Sequence, residues 1–223
     1  MENLLLLHGW GGNENSFAHI LPNLRNFYNC IHPAMPMFKE GDSHPEIPWT
    51  LEDYADYILR ILDEKGITKT HILAHSFGAR VAAILYRKRP EMFSKFVLTG
   101  AAGIKRRFRP IVWARIALYK LKRKLGYRGN GGSAEYRVLN PNGKKTFQNI
   151  ISANIIKEIK AIKVPQLLIY GRDDKATSTW MGKRWTRISQ NAKLRIYKDA
   201  GHFCFIDFPT RFINEMLNFL EEA

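Results

Sequence analysis

The chain has 223 residues, 45% hydrophobic and 25% charged, a composition that suits one globular domain with a sizeable core and excludes disordered, fibrous and membrane-embedded classes. Its 35 lysines and arginines against 20 aspartates and glutamates leave a formal charge of +15, which bears on anionic partners and not on the fold. Cys30 and Cys204 are too few for a disulfide framework, and no CxxC spacing marks a metal or redox site, so neither metal nor cofactor is expected. The apolar run at 4–7 is too short for a leader, and no segment approaches the roughly 18 apolar residues that span a bilayer. A cytoplasmic protein is expected.

In chain order, the apolar runs at 4–7 and 28–31 read as strands. Residues 49–64 then carry Leu51, Tyr54, Ala55, Ile58, Leu59 and Leu62 at helical spacing, with Thr50 as N-cap and Gly66 beyond the end. A strand at 71–74 is followed by a helix at 79–88, and a strand at 96–99 follows that. Further strands at 166–170 and 194–197 precede a helix at 210–222 that opens after Pro209. Short strands alternating with helices predict βαβ units: an α/β fold, a mostly parallel sheet of about six strands with helices on both faces.

Residues 104–163 break that rhythm. They carry no convincing strand and open with a basic helical pattern over 110–125, so they read as a helical cap inserted into a core made of 1–103 and 164–223. Lys105, Arg106, Arg107, Arg109, Arg115, Lys120, Lys122, Arg123, Lys124 and Arg128 occur there without an acidic residue among them. The turn-rich stretches at 128–133 and 140–144 read as loops within the cap.

The chemistry centres on the stretch AHSFG, from Ala74 to Gly78. A serine hydroxyl is a poor nucleophile until a base removes its proton, and it must project where substrate can reach it. A tight strand-to-helix turn does this, and the close backbones of such a turn demand small residues two before and two after the serine. Ala74 and Gly78 meet that demand around Ser76. After the strand at 166–170 comes Gly171-Arg172-Asp173-Asp174, and after the strand at 194–197 comes Lys198-Asp199-Ala200-Gly201-His202. Serine, acid and histidine, each just past a strand, are the components of a nucleophile, its base and the group that orients the base.

The order Ser, Asp, His in these settings resembles the α/β-hydrolase superfamily over nearly the whole chain apart from the cap. The resemblance implies a catalytic triad of Ser76, His202 and Asp174, with Asp173 as the alternative acid. It also implies an oxyanion hole from the backbone N–H groups of Trp10, in the glycine-rich LLLLHGWGGN stretch, and of Phe77. Many family members have two strands before that loop, so a shortened sheet is expected here. Serine at the elbow speaks against the haloalkane dehalogenases and epoxide hydrolases of the fold, which use aspartate. Carboxylesterase action through an acyl-enzyme is the leading expectation. A carbon–carbon bond hydrolase and a thioesterase share the triad, and a non-catalytic binding module is the alternative from another class.

The HGWG stretch and the helical insertion are similar to those of biotin-pathway esterases, which demethylate pimeloyl esters on acyl carrier protein. The basic cap would then meet an acidic carrier protein, or else an anionic membrane surface, while specific nucleic-acid binding has no motif to support it. His32, His71 and His75 read as structural, and Trp113, Tyr119 and Tyr136 as cap residues that could shape a substrate channel.

Overall fold

The computed structural model describes residues 1–37, 46–104, 118, 121 and 134–222. Six strands, β1 (Glu2–Leu7), β2 (Tyr28–Ile31), β3 (Thr70–His75), β4 (Phe93–Thr99), β5 (Gln166–Gly171) and β6 (Ala192–Tyr197), form one parallel sheet in the order β2-β1-β3-β4-β5-β6. Every residue of β3 and β5 is buried, because helices cover both faces of the sheet, and this is why these strands read as unbroken apolar runs.

The two faces sort the strand residues by parity. Leu5, Leu7, Ile72, Ala74, Phe96, Leu98 and Leu168 pack in one core, and Leu4, Leu6, Leu73, Val97, Leu167 and Ile169 pack in the other. The first core is covered by α2 (Leu51–Glu64) and α3 (Phe77–Lys88). The second is covered by the short α1 (Leu21–Leu24) and the last helix, whose Phe212, Met216 and Leu220 each contribute about 1.5–3 kcal/mol by burial. Thr50 caps α2 as expected: its N–H and its hydroxyl both donate to the Asp53 carboxylate, at 2.6 and 2.7 Å.

The chain turns from β1 to β2 on one side and from β3 onward on the other. The order therefore reverses between β1 and β3, and the loops leaving those two strands diverge around a crevice at the C-terminal edge of the sheet. Those loops carry the glycine-rich stretch and Ser76.

Between β4 and β5 the described elements are α4 (Ala134–Arg137), α5 (Pro141–Ser152) and α6 (Ile156–Ala161). The basic run from 105 to 128, the helix expected over 110–125 and the turn at 128–133 lie outside the described residues, apart from the helical and exposed Leu118 and Leu121. Trp113 and Tyr119 fall outside them too. The loop expected at 140–144 is instead the start of α5. Asn140 is its N-cap, accepting from Gly143 N at 2.7 Å, and Pro141 takes the first helical position, where it has no N–H to lose. Residues that signal a turn in isolation here signal a helix start.

Helix α5 is fastened to the sheet layers by polar contacts. Thr146 Oγ1 accepts from Trp49 N at 2.8 Å, Asn149 Nδ2 donates to Trp49 O at 3.1 Å, and Arg80 on α3 donates to Ile150 O at 3.0 Å and to Ala153 O at 3.4 Å. After β5 come α7 (Thr179–Ile188), α8 (Cys204–Asp207) and α9 (Pro209–Glu221). Helix α7 had no counterpart in the sequence pattern. Its Met181 and Trp185 are buried one turn apart, and Gly182 lies between them because a Cβ there would meet the Tyr170 ring at 2.8 Å. No helix among the described residues is long and apolar enough to cross a membrane.

Candidate active site

Ser76 links β3 directly to α3 with φ 51 and ψ −108, a conformation that costs a non-glycine residue of order 1–3 kcal/mol. The surroundings hold it there: Ser76 N donates to Thr99 O at 3.0 Å, and Ser76 O accepts from Ala102 N at 3.1 Å and Ala79 N at 3.2 Å. The need for a small residue two positions on is literal, since a Cβ on Gly78 would collide with the Leu7 carbonyl at the end of β1. The half-buried Ser76 side chain is thus presented above the sheet at the N-terminus of α3.

The acid and the histidine come from the loops after β5 and β6. His202 Nδ1 lies 2.7 Å from Asp174 Oδ2, with the Asp174 side chain fully buried and the imidazole 19% exposed. Asp174 Oδ1 accepts from Ala176 N at 2.7 Å and from Thr177 N at 2.8 Å, and Oδ2 also lies 2.7 Å from Thr177 Oγ1. Burial opposes ionisation of this carboxyl, but the hydrogen bonds from His202 and Thr177 outweigh it and hold its pKa below the ordinary carboxylate value. An ionised Asp174 can only accept, so the imidazole proton sits on Nδ1 and Nε2 keeps its lone pair. Asp173, the alternative acid, is exposed, and its backbone N–H bonds Ala200 O.

His75 buttresses this arrangement from below. Its ring centre is 4.6 Å from that of His202, and Nε2–H donates to His202 O at 3.1 Å. Burial and the neighbouring His202 push its pKa down to about 3, so the ring is neutral and structural, as the sequence suggests. His71 is structural as well, with Nε2 3.3 Å from Glu2 Oε2 on β1.

The loop after β1 closes the site on the other side. Gly12 N donates to Gly9 O at 3.1 Å, and Gly11, at φ 80, supplies the left-handed corner of the turn. Gly9 presses against the elbow, where a Cβ would lie 2.7 Å from His75 Nδ1 and 3.4 Å from Ser76 Cβ. His8 anchors this loop: Nε2 accepts from Met35 N at 2.9 Å, which leaves the proton on Nδ1 to donate to Gly9 O at 2.8 Å. Among the described residues, neither Trp10 N–H nor Phe77 N–H has a backbone acceptor, Phe77 being one of the orphan donors at a helix start.

Ser76 and His202 line one cavity of about 440 Å³ with Gly9, Trp10, Ser16, His75, Ala176 and Phe203. The two side chains share it without a direct hydrogen bond. The Trp10 indole packs edge-on to Phe77 at 5.5 Å and against Phe147 of α5 at 5.4 Å, and Tyr136 of α4 lies 5.8 Å from Phe147. This aromatic chain joins the loop after β1 to the segment between β4 and β5.

The structure therefore brings Ser76, Asp174, His202, Trp10 and Phe77 to one edge of the sheet. It adds Thr177, Phe147 and Arg80, which no sequence motif singles out. Among the described residues, no group of three or more histidines, cysteines or acids could hold a metal ion.

A family model for the alpha/beta hydrolase fold matches residues 2–129, more than half of the chain, and the chain belongs to that family. It is 22% identical over 246 residues to an uncharacterized hydrolase of Bacillus subtilis, covering 99% of this chain and 90% of that protein. It is 28% identical over 250 residues to a 2-hydroxy-6-oxononadienedioate/2-hydroxy-6-oxononatrienedioate hydrolase of Burkholderia vietnamiensis, covering 98% and 87%. Among solved structures, a meta-cleavage product hydrolase from Pseudomonas fluorescens superposes with a TM-score of 0.75 at 22% identity, covering 100% of this chain and 92% of that one.

Proposed function

We propose that the protein is a serine hydrolase that cleaves carboxylic esters through an acyl-enzyme. The observation that carries the reading is His202, with Nδ1 committed to the buried Asp174 at 2.7 Å and Nε2 free, in the same cavity as a serine held at positive φ. In the first step Nε2 takes the Ser76 proton as Oγ attacks the acyl carbonyl. The oxyanion gains the N–H groups of Trp10 and Phe77, together with the positive end of the α3 dipole. His202 then passes the proton to the departing alcohol, and water reverses the sequence to release the acid. Asp174 holds the tautomer and stabilises the imidazolium without taking the proton.

The finer form of this reading is an acyl chain carried by an acidic protein, as for the biotin-pathway esterases. The HGWG loop and the charge of +15 support it. A second reading has its own support: the relatives named as hydrolases of dienedioate and meta-cleavage products cleave carbon–carbon bonds, and the same serine and histidine would serve that reaction here.

The deciding experiment offers p-nitrophenyl esters of two to sixteen carbons, their thioester analogues and a ring-cleavage diketone to the wild type and to Ser76→Ala. Ester turnover abolished in the variant supports the first reading. Diketone turnover without ester turnover transfers the proposal to carbon–carbon cleavage, and no turnover of any of them removes both.

A further inference from the structure

We propose that the Thr177 hydroxyl is a positioning group that sets the basicity of His202 by dividing its single proton between Asp174 and the Gly100 carbonyl. The proposal rests on the reading of Ser76, His202 and Asp174 as one catalytic unit. Thr177 is 5% exposed, and its Oγ1 lies 2.7 Å from Asp174 Oδ2, 2.9 Å from Gly100 O and 3.3 Å from His202 Nδ1. A hydroxyl has one proton and two lone pairs, while the carboxylate and the carbonyl are acceptors only. At any instant one of them is served.

The hydroxyl is surplus to the shape of its own loop. The turn after Asp174 is already closed by the N–H groups of Ala176 and Thr177 on Oδ1, and these would form with any side chain at 177. What the hydroxyl adds falls on Oδ2, the oxygen that faces the imidazole. Gly100, directly after β4 and at φ 51, lies so close to the ring that a Cβ would sit 3.0 Å from His202 Nδ1, and its N–H is held by Ile169 O at 2.9 Å. The carbonyl that competes for the proton is therefore fixed to the sheet.

These contacts couple the rotor to the charge on His202. While the imidazole is neutral, the hydroxyl donates to Oδ2 and partly neutralises the carboxylate. When the imidazolium forms, the proton turns to Gly100 O, so Oδ2 faces His202 with its full charge and an Oγ1 lone pair faces Nδ1–H. The 2.7 Å charge-assisted contact of the neutral state is the stronger of the two, so the net effect of the hydroxyl is to keep His202 unprotonated, and hence able to act as base.

Other titratable groups surround His202 from each packed element. His75 at the end of β3 is neutral through burial, and His8 after β1 is neutral with both ring nitrogens bonded. Tyr170 on β5 donates to Ala101 O at 2.6 Å, and Asp173 and Lys175 flank Asp174. On α8 the Cys204 thiol is pushed up to about 12 by burial, and Asp207 accepts from Gly201 N at 2.8 Å. A substitution at 177 changes none of these groups.

The test follows the His202 imidazole by 15N NMR across pH, and the pH profile of ester kcat/KM, in the wild type, Thr177→Val and Thr177→Ser. Thr177→Val is expected to raise the His202 midpoint, and with it the acidic limb of the profile, by about 0.5–1 pH unit, and Thr177→Ser to restore both. An unmoved or lowered midpoint in Thr177→Val, or a serine variant that behaves like valine, overturns the proposal. If the valine variant does not fold, Thr177→Ala takes its place: the same upward shift is expected, and an unmoved or lowered midpoint overturns the proposal equally. Labelling of Ser76 by a serine-directed phosphonate separates the two levels: an unlabelled wild type sinks the serine-hydrolase reading, whereas a labelled one with an unmoved midpoint sinks only the role of Thr177.

Discussion

The two sides of the site differ in how much of their hydrogen bonding is already complete. On the acid side both Asp174 oxygens are occupied, His202 Nδ1 is committed, and the His202 carbonyl is held by His75. On the serine side the Ser76 hydroxyl has no bond to His202, and the N–H groups of Trp10 and Phe77 have no backbone acceptor among the described residues. The saturated side is fixed in advance of any substrate. In the proposed mechanism the open side supplies the donors and the nucleophile for an oxyanion and an acyl carbon, and there binding energy would go into the transition state.

The largest effect should come from emptying the open side. Ser76→Ala is expected to lower kcat on an accepted ester by about 10^6-fold, read by steady-state assay. Ser76→Gly should abolish activity equally yet raise unfolding stability by about 1 kcal/mol in urea titration, because glycine adopts the elbow conformation without strain. An active Ser76→Ala would erase the contrast between the two sides.

Next comes the saturated side. Asp174→Asn is expected to cost about 10^4-fold in kcat, since an amide can donate to Nδ1 and invert the tautomer, while leaving the fold intact by circular dichroism. Asp173→Asn should leave kcat within about 2-fold, as an exposed carboxylate with no part in the unit. Equal losses in the two variants would mean that both acids serve His202.

A smaller effect is expected where α5 meets α3. Arg80 is half-buried, burial pushes its pKa down to about 10, and it forms no ion pair with a carboxylate among the described residues. Arg80→Met leaves the Ile150 and Ala153 carbonyls without their donor, for a loss of about 1–3 kcal/mol in chemical denaturation.

The last is a pH dependence of stability. The folded pKa of His75 lies far below its unfolded value, so between about pH 6.5 and 3 the unfolded chain binds a proton that the folded one refuses, and stability falls as pH falls. Its slope should be at most about 1.4 kcal/mol per pH unit, and His75→Gln should flatten it.

Much of this was legible in the sequence. Strands β3 and β5 were visible because parallel strands covered on both faces are apolar nearly throughout, the other four from shorter apolar stretches even where, as in β6, Lys193 and Arg195 alternate with them, and Ser76, Asp174 and His202 as candidates because each follows a strand. What escaped notice depends on backbone carbonyls, which have no letter of their own. Thr177 matters through Gly100 O and Arg80 through Ile150 O and Ala153 O, partners 77 and about 70 residues away along the chain. Helices α5 and α7 were missed for a different reason. Asn140-Pro141 and Gly182 are punctuation in isolation, and only their packing shows one to be a helix start and the other a site of close approach to Tyr170.

The order of the strands also bears on biosynthesis. Ser76, the proposed nucleophile, leaves β3 in the middle of the sheet, whereas Asp174 and His202 leave β5 and β6, the last two strands in the chain, of which β6 forms one edge of the sheet. In synthesis Ser76 emerges about a hundred residues before Asp174 and His202. In the proposed mechanism hydrolytic competence therefore waits for the last two strands, and a chain cut short between them would carry Ser76 and Asp174 without His202.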